Sequence, residues 1–416
     1  MKKTKMSLKL VSLLLLFTLL GNAIGCATPV NAINLMSDIN ANQVTAKNDL
    51  TDTNDEVINF ALTLFNEAND NEKSTLVSPL SVLCALAMTT NGARDETLEQ
   101  MESVFGLDID DLNLYLYSYI KSLSQGDGFK LNLANSIWFI DNEEKLNVNK
   151  NFLQTNADYY NADAYKAPFN DQTITDINNW VKDKTNGLFD KVVDDIPPNA
   201  IMFLINALYF EAEWQSRYYA DDVRTSVFTK EDGTKQSVEM MSSDEFAYLE
   251  DANTTGFVKN YKGGYSFVAL LPNEGITIKD YVKSLTSEKL SSLFATEQLR
   301  MVYTGLPKFK TECEFNLVST LSNMGMPNAF DVNLADFSGI GNSGLGNIYI
   351  NKILHKTTIQ VTEIGTIAGA VTSVLPDAGS VPDPKVVYLN RPFVYMIVDN
   401  ANNVPFFIGT MMGVDL

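Results

Sequence analysis

An α+β fold, one large domain around a long mixed β-sheet, follows from three features of the 416-residue chain. Strand-like runs and amphipathic helical stretches alternate irregularly, without the strict strand–helix repetition of a parallel α/β sheet. One run, Ala200 to Phe210, is almost continuously apolar, as a central strand buried on both faces should be. No internal repeat and no linker interrupts residues 53–416. A length that would allow two or three domains therefore reads as one.

The elements follow in order. Residues 1–26 stand apart: Lys2, Lys3, Lys5 and Lys9 give a basic start, and Leu10 to Leu20 an apolar run too short for a comfortable membrane span. This is the pattern of a signal peptide, so the chain is expected outside the cell or on the outer face of its membrane. Ala23-Ile24-Gly25-Cys26 resembles a lipoprotein processing site that would leave Cys26 lipidated; simple cleavage near Ala27 or Ala32 is the alternative. Residues 27–52, rich in Asn, Asp and Thr, read as a flexible tether. Val57, Phe60, Ala61, Leu64 and Phe65 recur at helical spacing. Ser78-Pro79 opens a second helix, with Ser78 placed to cap and Pro79 at the first helical position. Its body, Val82 to Met88, is apolar nearly all round and should be buried. Leu131 to Ile140 reads as a strand and Ile177 to Val181 as a helix ending near Gly187. Ser266 to Leu271, Val302 to Lys310 and Ile348 to Thr362 read as strands. Phe393 to Val398 and Pro405 to Met411 read as a hairpin across Asp399 to Asn403.

Composition excludes several functions. The net charge is −20, and losing residues 1–26 removes four lysines and no acid, taking it to −24. Such a chain has no cationic surplus with which to displace the counterions of nucleic acid or hold anionic lipid. There is one histidine, His355, and three cysteines, Cys26, Cys84 and Cys313. That leaves no His-rich metal site, no C-x-x-C zinc centre and no disulfide framework. No cofactor and no metal is implied. Gly339 to Gly344 spells G-x-G-x-x-G, but the strand follows it rather than precedes it, so a loop is the better reading than a nucleotide site. His355 sits inside a strand-like run, and no G-x-S-x-G nucleophile accompanies it. It reads as a hydrogen-bonded structural histidine, and no residue is assigned a catalytic role.

One segment is unusual. After Glu363, the alternate positions Thr366, Ala368, Ala370 and Thr372 are all small, as they would be in a strand able to slide between two others. A Pro- and Gly-containing stretch, Leu375 to Pro384, follows. A long hairpin connection is the plainer reading of these residues alone.

With that segment, the chain resembles a serpin over nearly its whole length. Ser78-Pro79-x-Ser81, Asn135 to Trp138, Ile177 to Val181 with Thr185-Asn186-Gly187, and Asn206 to Phe210 with Trp214 resemble family blocks. Leu306 to Phe309, Met324 to Met326 with Ala329-Phe330, Ala335 to Ile340, His355-Lys356, Glu363-x-Gly365-Thr366, Arg391-Pro392-Phe393 and Phe407-Ile408-Gly409 follow in family order. The resemblance implies two further sheets, about nine helices and an exposed reactive loop at about 363–384. It implies a monomer that inhibits a target serine protease, or a cysteine protease, as a suicide substrate in a covalent complex. The cut loop would enter the central sheet, as serpin loops do in strand addition. It would touch no nucleic acid, and a membrane only through a lipid anchor.

Residue roles follow from the same resemblance. Gly365, Thr366, Ala368, Ala370 and Thr372 would form the hinge, with Gly365 supplying backbone freedom. Ser78, Ser81, Asn206 and His355 would form a polar cluster beneath the opening of the sheet. Trp214, Lys308 and Glu363 would guard its upper end, Lys308 and Glu363 as an ion pair. The reactive bond would be Gly379–Ser380, within Ala378 to Val381. No Arg or Lys lies between Glu363 and Pro384, so elastase-like or subtilisin-like targets are expected rather than trypsin-like ones. Ile367 stands where many inhibitory members carry Glu. The competing readings are a non-inhibitory serpin used as an extracellular binding protein, and an unrelated exported hydrolase or solute-binding lipoprotein, for which no constellation is present.

Overall fold

The structure is a computed structural model that describes residues 30–70, 72–123, 128–141, 146–198, 200–344, 346–366 and 384–414, with the backbone alone at Ala207. A seven-stranded sheet is ordered β1 (Ile33–Asn34), β5 (Asp163–Ala167), β3 (Phe129–Ile140), β6 (Met202–Glu213), β15 (Gly365–Thr366), β14 (Lys352–Val361) and β12 (Phe309–Asn316). It is mixed: β3–β5 and β6–β14 run parallel, β3–β6 and β12–β14 antiparallel. A nine-stranded sheet runs β16 (Lys385–Tyr388), β11 (Gln298–Pro307), β8 (Lys235–Glu250), β9 (Thr254–Asn260), β10 (Tyr265–Pro272), β17 (Phe393–Asp399), β18 (Pro405–Met411) and β2 (Thr75–Val77), with β7 (Val223–Thr229) on β8. Two short strands, β4 (Leu146–Val148) and β13 (Gly341–Ser343), pair separately.

Nine α-helices lie among the described residues: α1 (Thr51–Ala68), α2 (Pro79–Thr90), α3 (Asp95–Phe105), α4 (Ile109–Ser122), α5 (Lys150–Tyr160), α6 (Asp171–Lys184), α7 (Ile278–Lys283), α8 (Ser287–Ala295) and α9 (Val318–Met324). Every residue of α2 is buried, as its all-round apolar sequence requires. It packs against β6 and β3 of one sheet and β18 of the other, so it is the layer between them.

Several local expectations change. The helix expected from Ile177 begins six residues earlier, because Asn170 caps Gln172 and Thr173 while the Thr173 hydroxyl accepts from Asn170 N–H. The run Val302 to Lys310 is two strands in two sheets. Pro307, which has no N–H to extend a ladder, ends β11, and the chain crosses at Lys308 into β12. Residues 348–351 lie outside β14, with Ile350 N–H donating to Ala329 O. The glycine-rich 339–344 stretch contains β13, which pairs with β4.

Residues 30–50, read as a tether, lie against the domain. Ile33 and Asn34 pair with Lys166 and Tyr165 at the edge of the seven-stranded sheet. Asn31 is held by Asp176 and Asn42 by Asp158, while Lys47 N–H donates to Ser118 Oγ. These are backbone and amide bonds to fixed acceptors, which need no apolar period in the sequence.

Candidate functional site

β14 and β6 are joined directly only over Lys352–His355 and Phe203–Asn206. Higher up, β15 stands between them: Gly365 and Thr366 face Glu213 and Ala212 of β6, and Thr366 faces Val361 of β14. Between these two zones, no pairing joins residues 207–211 to 356–360 among the described residues. The main sheet is therefore parted in its upper half, with a two-residue strand wedged into the top.

Glycine at 365 is required by close approach: a Cβ there would run into the Ala212 carbonyl oxygen. Thr366 is buried, and its hydroxyl shares a 2.7 Å hydrogen bond with the Tyr261 hydroxyl. Tyr261 in turn stacks on Trp214, centroids 4.2 Å apart. The turn leading into β15 is clamped along its carbonyls. Trp214 Nε1–H donates to Thr362 O (2.8 Å), Tyr218 N–H to Glu363 O (2.9 Å) and Trp214 N–H to Ile364 O (2.9 Å).

Lys308, the crossover residue, closes the clamp. Its ammonium reaches Glu363 Oε1 at 2.8 Å and Glu239 Oε2 at 3.0 Å, and its N–H donates to Glu239 O. The Glu363 bond holds the Lys308 ammonium above its usual pKa. Partial burial works to raise the Glu363 carboxyl, but the Lys308 hydrogen bond and charge and its own backbone outweigh it, leaving it below the usual range. Lys259, buried beneath, pairs with Glu245 at 2.5 Å and lies 4.3 Å from the Tyr218 ring and 5.5 Å from that of Trp214.

The lower end of the opening is polar. Asn135 of β3, Asn206 of β6 and His355 of β14 form one row across three strands. Ser81 Oγ donates to Asn206 Oδ1; Asn206 Nδ2 donates to Ser81 O at 2.7 Å and to Asn135 Oδ1. Ser78 N–H donates to His355 Nε2 at 3.0 Å, which assigns the ring proton to Nδ1. Burial depresses the imidazole to about 3, so it is neutral. Ser78 Oγ, expected to cap α2, makes no cap bond, and the contribution of Ser78 to the row is its backbone N–H.

Ser78, Ser81, Asn206 and His355 thus come together, as do Trp214, Lys308, Glu363, Gly365 and Thr366. Ala368, Ala370, Thr372, the bond range Ala378 to Val381 with Gly379 and Ser380, and Cys26 lie outside the described residues. Sequence reasoning missed Asn135, Tyr261, Glu239 and Lys259 as parts of the site. No local signal singled out Asn135, since its strand also carries Lys130, Asn132 and Ser136. Among the described residues, no three His, Cys, Asp or Glu side chains gather as a metal site, and no helix is long and apolar enough to cross a membrane. Cys84 and Cys313 are not disulfide-bonded, and burial pushes the Cys84 thiol far up.

A parted mixed sheet is thus wedged by the start of the segment that follows β14 and floored by a Ser–Asn–His row. The family model for serpins (serine protease inhibitors) matches residues 55–414, and the chain belongs to the serpin family. It is similar to the thermophilic serpin tengpin, at 47% identity over 92% of this chain and all of that one, with a TM-score of 0.88 to its native state. The TM-score to latent tengpin is 0.79, at 46% identity over 89% of this chain and all of that one. An uncharacterized serpin-like protein of Thermococcus kodakarensis is 31% identical over 365 residues, covering 85% of this chain and 84% of that one. Leukocyte elastase inhibitor A of Mus musculus is 29% identical over 369 residues, covering 84% of this chain and 96% of that one.

Proposed function

We propose that this serpin traps serine proteases of elastase-like or subtilisin-like specificity as a suicide substrate. The observation that carries the reading is the parted sheet, with Gly365 and Thr366 already seated between β6 and β14. The protease serine Oγ attacks the carbonyl carbon of Gly379. An acyl ester forms, the Gly379–Ser380 C–N bond breaks, and the protease histidine hands its proton to the departing Ser380 amine. The freed segment from Gly365 to Gly379, 15 residues, then fills the opening as a strand. At roughly 3.3 Å per residue it carries the ester about 50 Å, and the acylated protease is held before water can release it. Small residues at Thr366, Ala368, Ala370 and Thr372 suit rapid insertion, and the absence of Arg and Lys from 364–384 suits a pocket for small residues. The name of the mouse relative is consistent with an elastase-type target. The basic-then-apolar start of the chain supports action outside the cell, free or held by lipid at Cys26.

Incubation with an elastase-type and a subtilisin-type protease tests this on denaturing gels with intact mass. The expected result is a covalent adduct of the two proteins and a released fragment starting near Ser380. Clean cleavage without adduct, and without a rise in thermal stability, would instead favour an extracellular binding protein on a serpin scaffold.

A further inference from the structure

The first described residues of the chain are fastened to one end of the seven-stranded sheet. Ile33, Lys166, Phe139 and Met202 form one register row across β1, β5, β3 and β6. Met202 is the first residue of β6, so the row marks the lower end of the sheet. Just before it, Asn31 is bonded to Asp176 of α6 through its N–H and its side-chain amide. Val30 and Ala32 pack against the buried cluster that contains Ile177 and Trp180 of the same helix. Cys26 lies four residues before Val30, and four residues reach at most about 14 Å.

The same register says where the reactive loop begins and ends its travel. Thr366 faces Ala212 of β6, ten residues up from Met202, or about 33 Å along the strand. Continuing that antiparallel pairing one for one brings Pro376 opposite Met202 and Gly379 three positions beyond it, about 10 Å past the row. The loop therefore starts at the end of the sheet away from the anchor point and finishes at the end next to it.

We infer that a molecule held by lipid at Cys26 stands with the Ile33–Met202 end of its main sheet against the bilayer and its reactive loop turned away, so that insertion carries the acylated protease onto the lipid surface. The inference rests on the inhibitory, lipid-anchored reading above. The lower end cannot retreat beyond the reach of the tether, while the root of the loop stands about 33 Å higher. Charge offers no competing attraction: a chain this acidic seats no face on anionic lipid, so the tether decides. A protease domain of about 230 residues has a radius of gyration near 17 Å and extends roughly 45 Å across. It does not fit beneath an upright inhibitor with about 14 Å of slack, so the complex lies over with both proteins on the lipid. Such an inhibitor meets enzymes arriving from outside and stores them at the membrane.

The test uses the lipidated full-length protein in phosphatidylcholine vesicles that carry an acceptor-labelled lipid. Donor dyes are placed on Asp195→Cys and, separately, on Thr225→Cys, in a Cys313→Ser background; Cys84 is buried and its thiol pushed far up, so it stays unlabelled. Asp195 is exposed beside Lys352, which pairs with Phe203 at the lower end. Thr225 is exposed and pairs with Glu239, near the mouth of the opening. Energy transfer to lipid should be about threefold stronger from Asp195→Cys, the site lower along the strands. The contrast should vanish when a spacer of roughly 20 Gly/Ser residues, about 25 Å in the mean, is inserted between Pro29 and Val30. A labelled protease should gain transfer to lipid as the covalent adduct forms. Equal transfer from both sites in protein shown by intact mass to carry the lipid, or stronger transfer from Thr225→Cys, overturns the orientation and leaves anchoring and inhibition standing. An adduct without protease–lipid transfer overturns the delivery. Intact mass without lipid on Cys26 overturns the anchored reading and the inference with it, whereas adduct gels of the soluble protein still decide the inhibitory one.

Discussion

His355 and Asn206 face each other as the last register pair that joins β14 to β6. Above them the next rung belongs to Gly365 and Thr366. Both residues are tied down to the start of α2, His355 through Ser78 N–H and Asn206 through Ser81. The point where the sheet begins to part is thus fixed to α2, which packs between the two sheets.

Replacing Asn206 by Ala should be severe. It strips a partner from Ser81 Oγ, Ser81 O and Asn135 Oδ1 at once. An unpaired buried polar group costs about 1–3 kcal/mol, and these three share a network. We expect the thermal midpoint to fall by several degrees, followed by circular dichroism, and the native form to be lost faster on warming. An unchanged midpoint would mean that the row does not hold the strands.

Stability should fall with acid in a window set by His355. The folded imidazole resists protonation down to about 3, whereas an unfolded one titrates near 6.5. Below pH 6.5 the unfolded chain therefore takes up the proton first and gains. The contribution is full above about pH 6.5 and is lost as pH falls toward 3, by a few kcal/mol across the window. Denaturant midpoints for wild type and His355→Gln at pH 7, 5.5 and 4.5 should converge toward acid; parallel curves would contradict this.

Lys308→Ala should act on kinetics more than on equilibrium. Its two ion pairs are partly exposed, so after screening each is worth under about 1 kcal/mol. Their place at the mouth of the opening matters more. Polymer formation on heating, read by native gels, should be accelerated severalfold, and high salt should move wild type toward the variant. Identical heating kinetics would remove Lys308 from the gate.

Two hinge substitutions should separate seating from insertion. Gly365→Ala collides with the Ala212 carbonyl, so β15 must leave its seat, and Trp214 emission should change as the clamp on residues 362–364 loosens. Thr366→Arg places an unpaired charge at a buried position, a penalty of several kcal/mol. With that variant the protease should cut the loop and depart, and the stoichiometry of inhibition should rise well above that of wild type.

Elements buried on all sides were the most legible in sequence. β6 and α2 show as nearly unbroken apolar runs because all of α2 and most of β6 are buried. The break at Lys308 was hidden because β11 and β12 both suit strand, and which sheet each joins depends on partners far along the chain. Lys259 reads as a surface residue by type. Only the Glu245 carboxylate and the Tyr218 and Trp214 rings, brought from elsewhere, make its burial tolerable. The seating of residues 30–50 was illegible for a related reason: backbone and amide bonds hold them together with scattered apolar side chains such as Leu35, Met36 and Ile39, which follow no period. Ser81, Asn206 and His355 were reached through resemblance, since they lie more than a hundred residues apart and share no pattern.

Lys308 also has a mechanical meaning. It is the single residue between β11 and β12, its backbone is bonded to β8, and its side chain grips Glu363 just before the wedge. A load applied to the loop entry is therefore shared by both sheets through one peptide link and one ion pair. Widening of the main sheet at that corner tugs on the neighbouring sheet, so the two deform as one body until the Lys308–Glu363 contact yields.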